Sequence, residues 1–174
     1  MSAATAGPRA DDAARVRLLV LDVDGVLTDG RLYYGARGEA LKVFHVRDGH
    51  GLKLLAAAGV TVAVISGRRS SMTARRCREL GVRHLLQGVE DKLAAFQRLR
   101  GRLRLPANAC ACVGDDVPDV PLMREVGLAF AVADAHPQAR SAAHVITRLS
   151  GGSGAVREVC DHLLEARRHA AAIT

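Results

Sequence analysis

Short apolar segments rich in β-branched residues alternate with helical segments along most of this chain. The first apolar segment, residues 16–22, is apolar at nearly every position after Arg17, which is typical of a strand covered on both faces. Parallel strands need crossover connections, which are usually helices, so the alternation predicts right-handed βαβ units. We therefore expect an α/β fold with a mostly parallel sheet between two helical layers.

The 174 residues suit a single domain. We expect a flexible N-terminal arm over residues 1–15, one domain over residues 16–168 and a C-terminal tail over residues 169–174. Asp48 is expected to cap the helix that it opens, and Gly59 to end it. The strands are predicted over residues 16–22, 60–65, 84–86, 109–113, 128–132 and 144–147. The helices are predicted over residues 48–58, 70–80, 92–103, 121–126 and 155–168.

One segment interrupts the alternation. Residues 31–35 and 40–45 flank a turn over residues 36–39 and predict a small β-hairpin inserted in the domain. This hairpin holds Tyr33, Tyr34 and Phe44, three of the five aromatic residues of the chain. Because an isolated two-stranded hairpin is marginally stable in water, we expect it to pack against another element or another subunit.

Composition excludes several classes of protein. Hydrophobic residues make up 49% of the chain and charged residues 25%, which excludes a disordered protein. No apolar run approaches the roughly 20 residues of a membrane span, and the N-terminal segment lacks the apolar core of a secretory signal. The four cysteines show no C-x-x-C spacing, which favours core packing in a reducing compartment. The predicted location is the cytoplasm.

The formal net charge of +7 raises nucleic acid as a partner. Aromatic residues make up only 3% of the chain and Trp is absent, so few side chains can stack on bases. We therefore expect the basic residues, which are concentrated over residues 68–104, to attract a small anionic substrate. Neither a nucleic-acid partner nor a membrane partner is expected.

Acidic residues follow two of the predicted strands. Asp22 and Asp24 end the first strand, and Asp115 and Asp116 follow the strand over residues 109–113. In open parallel sheets, ligands bind outside the carboxyl ends of the strands, where these side chains converge. Carboxylates so close together repel one another unless a cation lies between them. Oxygen ligands without neighbouring His or Cys favour Mg²⁺.

Two further polar residues lie at the same predicted edge. Ser66 follows another strand and Lys92 opens a helix, and both are suited to bind phosphate oxygens. A carboxylate beside a metal-held phosphoryl group can act as a nucleophile and form an aspartyl-phosphate that water then hydrolyses. The residues themselves therefore predict magnesium-dependent phosphoryl transfer.

Four motifs in order resemble those of the haloacid dehalogenase superfamily. They are DVDGVLT over residues 22–28, SGR over residues 66–68, Lys92, and GDDVPD over residues 114–119. Residues 41–51, 132–137 and 151–160 further resemble the capless sugar-acid phosphatases of that superfamily, and the resemblance covers about residues 16–165. It implies a Rossmann-like fold and a phosphoric monoester hydrolase. The implied reaction releases phosphate from 3-deoxy-D-manno-octulosonate 8-phosphate in lipopolysaccharide biosynthesis.

The resemblance also implies residue roles. Asp22 would be the nucleophile and a Mg²⁺ ligand. Asp24 would protonate the leaving oxygen and then deprotonate water, with its backbone carbonyl on the metal. Asp115 would complete the metal site. Asp116 or Asp119 would contact the metal ligands without binding the metal directly. Ser66 would bind phosphate. The implied substrate contacts are Asp24, His45, Val46, Arg47, Asp48, Gly49, Lys53, Arg68, Arg76 and Lys92.

The resemblance implies a homotetramer as well, in which hairpins join and neighbouring subunits cover each site. Three alternatives stay open at this point: a nine-carbon keto-sugar acid phosphate as substrate, a non-catalytic oligomerisation module, and a nucleic-acid 3′-phosphatase. The intact set of Asp22, Asp24, Lys92 and Asp115 argues against the non-catalytic module. A nucleic-acid substrate would show binding that falls steeply with salt.

Overall fold

The computed structural model describes residues 10–173, so most of the expected N-terminal arm lies outside the described residues. The strands are β1 (Leu18–Leu21), β2 (Tyr33–Gly35), β3 (Gly38–Leu41), β4 (Thr61–Ser66), β5 (His84–Gln87), β6 (Cys110–Gly114), β7 (Leu128–Ala131) and β8 (Val145–Ile146). The helices are α1 (Ala10–Ala14), α2 (Val46–Ala57), α3 (Ser71–Leu80), α4 (Lys92–Arg102), α5 (Val120–Glu125), α6 (Pro137–Ala142) and α7 (Ala155–Ile173).

Six strands form one parallel sheet in the order β5-β4-β1-β6-β7-β8. The central strand β1 is buried along its whole length, as its apolar sequence predicts. Its last residue, Leu21, lies in register with Val64 of β4 and Val113 of β6. The carboxyl ends of the three central strands therefore meet at one edge of the sheet.

The helices form two groups on the sheet. One group contains α1, α2, α3 and α7, and the other contains α4, α5 and α6. Together with the sheet they enclose a continuous core in which Phe96, Phe130, Leu19 and Leu163 are fully buried. The predicted α/β fold with a mostly parallel sheet is confirmed. None of the described helices is long and apolar enough to cross a membrane.

The hairpin forms a separate two-stranded antiparallel sheet from β2 and β3. Its turn is tighter than predicted, because only residues 36 and 37 connect the strands and Gly38 opens β3 with φ +106°. The second strand ends at Leu41, so the predicted strand over residues 40–45 is wrong in its bounds. Phe44 packs against the main core. The exposed apolar side chains around the hairpin are Leu32, Tyr33, Tyr34, Leu41 and Val43.

The beginning of α2 corrects the sequence prediction. The cap is His45, whose Nδ1 accepts a hydrogen bond from the Arg47 N–H, so the helix begins two residues earlier than expected. Asp48 lies within the helix and is buried. Its Oδ1 accepts a hydrogen bond of 2.8 Å from the backbone N–H of Arg157. Asp48 therefore satisfies an N–H at the beginning of α7 instead of capping its own helix.

Helices extend further towards both ends of the described chain than the sequence predicts. Within the expected arm, Ala10–Ala14 form α1, which packs on α7 and buries Ala13. The helix α7 continues to Ile173 and so takes in most of the expected tail. The short helix α6 was not predicted, although Pro137 at its first turn and the capping His136 are typical of a helix start.

Candidate active site

Three carboxylates converge where β1 and β6 end. Asp22 follows β1 directly, Asp115 follows β6, and Asp119 lies in a short 3₁₀ turn over Val117–Asp119. One oxygen from each lies within 4.8 Å of the others. The proximity of Asp22 and Asp115 was predicted from the parallel arrangement of β1 and β6. The 3₁₀ turn brings Asp119 close to both of them.

Lys92 places a positive charge against this cluster. Its Nζ lies 3.0 Å from Oδ1 of Asp22 and 2.6 Å from Oδ1 of Asp119, and the side chain is only 7% exposed. Burial opposes the charge, but the two carboxylates raise the pKa of Lys92 above its ordinary value. The lysine is therefore a fixed cation beside Asp22.

Asp119 supports the site from behind. Its Oδ2 accepts hydrogen bonds from the backbone N–H groups of Asp115 and Asp116, at 3.1 and 3.3 Å. Its Oδ1 accepts from Lys92, so both oxygens are engaged within the protein. Asp116 is exposed and accepts from the Val117 N–H at the start of the 3₁₀ turn. Of these two acidic residues, Asp119 is the one in contact with the cluster.

The Asp115 carboxylate is held close to the loop after β1. A Cβ at Gly25 would lie 2.0 Å from its Oδ2, and Gly25 has φ +90°. Gly151 in turn packs on Gly25, where a Cβ would lie 1.7 Å from the carbonyl oxygen. The Gly151 N–H donates to Asp134, so the glycine-rich turn is in contact both with the loop after β1 and with the segment after β7.

The electrostatics of the cluster fit a divalent cation. Burial, followed by the charge of Asp119, raises the pKa of Asp22 to about 6. Burial, followed by the charges of Asp22 and Asp119, raises the pKa of Asp115 to about 8. Oδ1 of Asp115 is also buried without a hydrogen-bond partner in the described part of the chain. A cation bound by Asp22 and Asp115 would remove the repulsion and occupy that oxygen.

Asp24 is separate from the three-carboxylate cluster. Its Oδ1 forms an ion pair with Lys42, and its Oδ2 lies 3.8 Å from Nε of Arg68. Lys42 comes from the segment that follows the hairpin, and Arg68 follows β4. The sequence identified Arg68 but not Lys42, because nothing in the spacing of the two residues shows that the hairpin folds back over Asp24.

A cleft of about 430 Å³ connects these groups. Ser66 lies in its floor, buried, with its Oγ accepting from the Arg68 N–H at 3.3 Å. The cleft is lined by Asp22, Asp24, Ser66, Gly67, Arg68, Val89, Glu90, Lys92, Asp115, Asp116, Pro118 and Asp119. No role was predicted from the sequence for Gly67, Val89, Glu90 or Pro118. Gly67 and Pro118 lie within the quoted motifs but have no ionisable group, and Glu90 has a carboxylate but lies outside those motifs.

The remaining expected substrate contacts do not line this cleft of the chain. His45, Asp48, Gly49 and Arg76 surround a small, largely apolar cavity beside α2 and α3, where Arg76 lies over Gly49. Arg47 lines a different groove along α7. Lys53 and Val46 are exposed on α2, outside the cleft. The fold of the chain therefore brings Asp24, Arg68 and Lys92 to the cleft but leaves the segment over residues 45–49 apart from it.

Comparisons with known proteins show the family of the chain. Residues 85–158 match the haloacid dehalogenase-like hydrolase family. The 3-deoxy-D-manno-octulosonate 8-phosphate phosphatase KdsC of Yersinia pestis is 50% identical over 165 residues, which cover 92% of this chain and 88% of that protein. KdsC of Escherichia coli K12 is 50% identical over 155 residues, which cover 89% and 82%. The chain belongs to the 3-deoxy-D-manno-octulosonate 8-phosphate phosphatase family.

Solved structures of this phosphatase family share the fold. The Yersinia pestis phosphatase superposes with a TM-score of 0.89 at 48% identity, covering 91% of this chain and 86% of that one. The Moraxella catarrhalis phosphatase superposes with a TM-score of 0.90 at 41% identity, covering 94% of each chain. That structure is a complex with a magnesium ion, a phosphate ion and a KDO molecule.

Proposed function

We propose that this chain hydrolyses 3-deoxy-D-manno-octulosonate 8-phosphate to 3-deoxy-D-manno-octulosonate and inorganic phosphate, a step of lipopolysaccharide biosynthesis. The observation that carries the proposal is the contact of Lys92 with Asp22 and Asp119 at the edge of the sheet. A relative with that activity in its name is 50% identical over 92% of the chain. The intact charged cluster supports an enzyme over a non-catalytic module.

The reaction begins with the nucleophile. An oxygen of Asp22 forms a bond to phosphorus as the bond from phosphorus to the sugar oxygen breaks. Lys92 holds that carboxylate in place and offsets negative charge on the phosphoryl group, and Ser66 binds another phosphate oxygen. Mg²⁺, held by the carboxylates of Asp22 and Asp115 and the carbonyl of Asp24, supplies charge neutralisation at the phosphate when bound.

Asp24 is the proposed general acid and general base. In the first half-reaction it delivers a proton to the departing sugar oxygen, and in the second it takes one from the water that cleaves the aspartyl-phosphate on Asp22. Its position outside the three-carboxylate cluster supports this separate role. Asp119 keeps both Lys92 and the backbone of Asp115 in place, with Asp116 at the surface of the same turn.

We further infer a homotetramer in which the sugar pocket is completed between subunits. Two facts support this assembly. The exposed apolar side chains on and beside the hairpin include Tyr34, 64% exposed, and Val43, 54% exposed, and such exposed apolar surface favours association. The expected sugar contacts at residues 45–49, together with Lys53 and Arg76, lie outside their own subunit's cleft. A neighbouring subunit would bring them to it.

The cytoplasm is the proposed location. All four cysteines are buried, free thiols. Burial raises the pKa of Cys77 and of Cys110 to about 11 and that of Cys160 to about 12. These thiols therefore have a packing role, consistent with a protein that needs no disulfide bonds.

Phosphate release from a panel of substrates tests the proposed activity. The panel contains eight-carbon and nine-carbon ulosonate phosphates, hexose phosphates and a 3′-phosphorylated oligonucleotide, each with Mg²⁺. We expect the eight-carbon compound to have the highest kcat/KM. A higher kcat/KM for the nine-carbon compound would reassign the substrate. No phosphate release from any member of the panel would contradict the proposal that the chain is a phosphatase.

A further inference from the structure

Lys42 reaches the active site from outside the sheet. It follows β3 of the hairpin, and its ammonium group forms an ion pair with Oδ1 of Asp24, 18 residues earlier in the chain. The Lys42 side chain is only 3% exposed. Lys42 does not line the cleft, unlike Lys92, so we expect it to affect the reaction through the groups that it contacts.

Glu39 holds the other side of Lys42. Its Oε1 lies 3.3 Å from the Lys42 ammonium, and its Oε2 accepts a hydrogen bond of 2.6 Å from Oγ of Ser70. Ser70 precedes α3, and its backbone N–H donates to Gln87 at the end of β5. Burial opposes ionisation of Glu39, but the bonds from Ser70 and Lys42 lower its pKa. The hairpin is thereby fixed to the rim of the main sheet.

The two oxygens of Asp24 are held unequally. Oδ1 is in close contact with Lys42, whereas Oδ2 lies 3.8 Å from Arg68, whose side chain is 41% exposed. Arg68 also donates to the hydroxyl of Tyr34 at 3.3 Å. The buried contact fixes the carboxylate, and the exposed contact can give way to the leaving group of a substrate.

We propose that Lys42 is a positioning residue for the reaction: from the hairpin it orients the Asp24 carboxylate so that Oδ2 faces the leaving group, and Glu39 holds Lys42 in place. The inference rests on the proposed role of Asp24 as proton donor. It assigns to the hairpin a function inside its own subunit's site, in addition to the association proposed above.

In variants that keep the wild-type sedimentation coefficient, the dependence of rate on the leaving group separates positioning of Asp24 from disruption of the assembly. An alkyl phosphate needs a proton on its poor leaving group, whereas 4-nitrophenyl phosphate releases a stable phenolate without one. The quantity to compare is kcat/KM, which reports events up to departure of the leaving group and excludes the later attack by water. The test pairs the sugar phosphate with 4-nitrophenyl phosphate in wild type, Lys42→Met, Lys42→Arg and Glu39→Gln.

We expect Lys42→Met to lower kcat/KM for the sugar phosphate about 100-fold, which is typical of the loss of a general acid. The value for 4-nitrophenyl phosphate should fall less than about threefold, because this substrate needs no proton on its leaving group. Lys42→Arg should recover most of the sugar-phosphate activity, because it restores a cation at the same place. Glu39→Gln should change the ratio of the two kcat/KM values in the same direction as Lys42→Met, but by a smaller factor. The matched control is Arg75→Met, at an exposed cation paired with Glu79 on α3, which should leave both values unchanged.

Equal losses on both substrates, or no loss on either, in a variant with the wild-type sedimentation coefficient would overturn the proposal. If Lys42→Met fails to assemble, the ratio measured with Glu39→Gln and Lys42→Arg decides in its place. Failure of the proposed function shows separately, as absence of activity on the eight-carbon phosphate in wild type. The comparison then uses whichever alkyl phosphate the wild type hydrolyses.

Discussion

The carboxylate of Asp115 lies in the space that a side chain at Gly25 would need, since a Cβ built at Gly25 would be 2.0 Å from Oδ2 of Asp115. Gly25 also has φ +90°, a conformation that L-residues rarely adopt. The loop after β1 and the end of β6 therefore approach each other only because position 25 has no side chain. This approach brings Asp115 to Asp22.

Gly25→Ala should displace Asp115 and weaken Mg²⁺ binding by at least about tenfold, as measured by calorimetric titration. The matched control is Gly59→Ala, because Gly59 also has a positive φ, +85°, but no atom within 4 Å of the added carbon. That variant should lose stability without losing Mg²⁺ affinity. Wild-type affinity in Gly25→Ala would contradict the assignment of Asp115 to the metal.

The raised pKa values predict how the metal-free protein responds to pH. In the unfolded chain, Asp22 and Asp115 titrate near 3.8. In the folded protein, burial and the charges of neighbouring carboxylates, Asp119 for Asp22 and both Asp22 and Asp119 for Asp115, raise their pKa values to about 6 and about 8. The folded protein therefore binds more protons across this interval. Their favourable contribution to stability is complete below 3.8 and is lost as the pH rises to about 8.

Mg²⁺ should offset that loss, because it binds the ionised carboxylates and competes with protons. We expect the difference in Tm between Mg²⁺-loaded and EDTA-treated protein to widen as the pH rises from about 5 to about 8. EDTA should also abolish phosphatase activity and added Mg²⁺ restore it. A Tm difference that stays constant or narrows with pH would contradict the proposed ligands.

Asp48 predicts a stability effect that spans two helices. Its Oδ1 accepts from the Arg157 N–H at 2.8 Å, so Asp48→Ala leaves an unpaired N–H at the start of α7. We expect a loss of about 1–3 kcal/mol in the free energy of unfolding, measured by urea titration. Asp161→Ala removes an exposed pair with Arg157 and should change it by less than about 0.5 kcal/mol. Equal losses of unfolding free energy in the two variants would contradict a stabilising role for the hydrogen bond between the Arg157 N–H and Asp48.

Asp22 and Asp48 show which features of the molecule can be predicted from the sequence: the position of Asp22 was predicted, and the role of Asp48 was not. The position of Asp22 depends on a buried strand and parallel register, which apolar pattern and crossover rules predict well. The same rules place Ser66, Lys92 and Asp115. The role of Asp48 depends on a partner 109 residues away, Arg157. Local cap preferences assigned it to its own helix, since they contain no information about tertiary neighbours.

The hairpin shows the same limit. Its existence follows from the sequence, but its bounds do not, because a two-residue turn and a longer turn fit the same apolar spacing. The contact of Lys42 with Asp24 depends on the angle at which the hairpin leaves the sheet, which pattern does not specify. Asp119 joins the three-carboxylate cluster through a 3₁₀ turn of three residues, too short to carry a periodic signal.

The exposed side chains of the hairpin predict the outcome of disrupting the assembly. Val43→Asp places a charge in the apolar patch and should convert a tetramer into smaller species in sedimentation velocity. Ile146→Asp, at an exposed side chain of the edge strand β8, is the control and should leave the tetramer intact.

The dissociated Val43→Asp variant should lose kcat/KM for the sugar phosphate more than for a small aryl phosphate, which needs no sugar pocket. A wild-type protein that is an active monomer would contradict the assembly. Unchanged selectivity in a dissociated variant would show that neighbouring subunits do not complete the site.

The most direct test of the account is the activity of Asp22→Asn on the substrate with the highest wild-type kcat/KM. The substitution keeps the size of the side chain but removes the attacking charge, so kcat should fall by at least about 10³. Asp161→Asn, at an exposed aspartate on α7, should retain wild-type turnover. Mass spectrometry of the Asp22→Asn protein excludes reversion to aspartate by deamidation. Wild-type turnover by the intact variant would contradict Asp22 as the nucleophile.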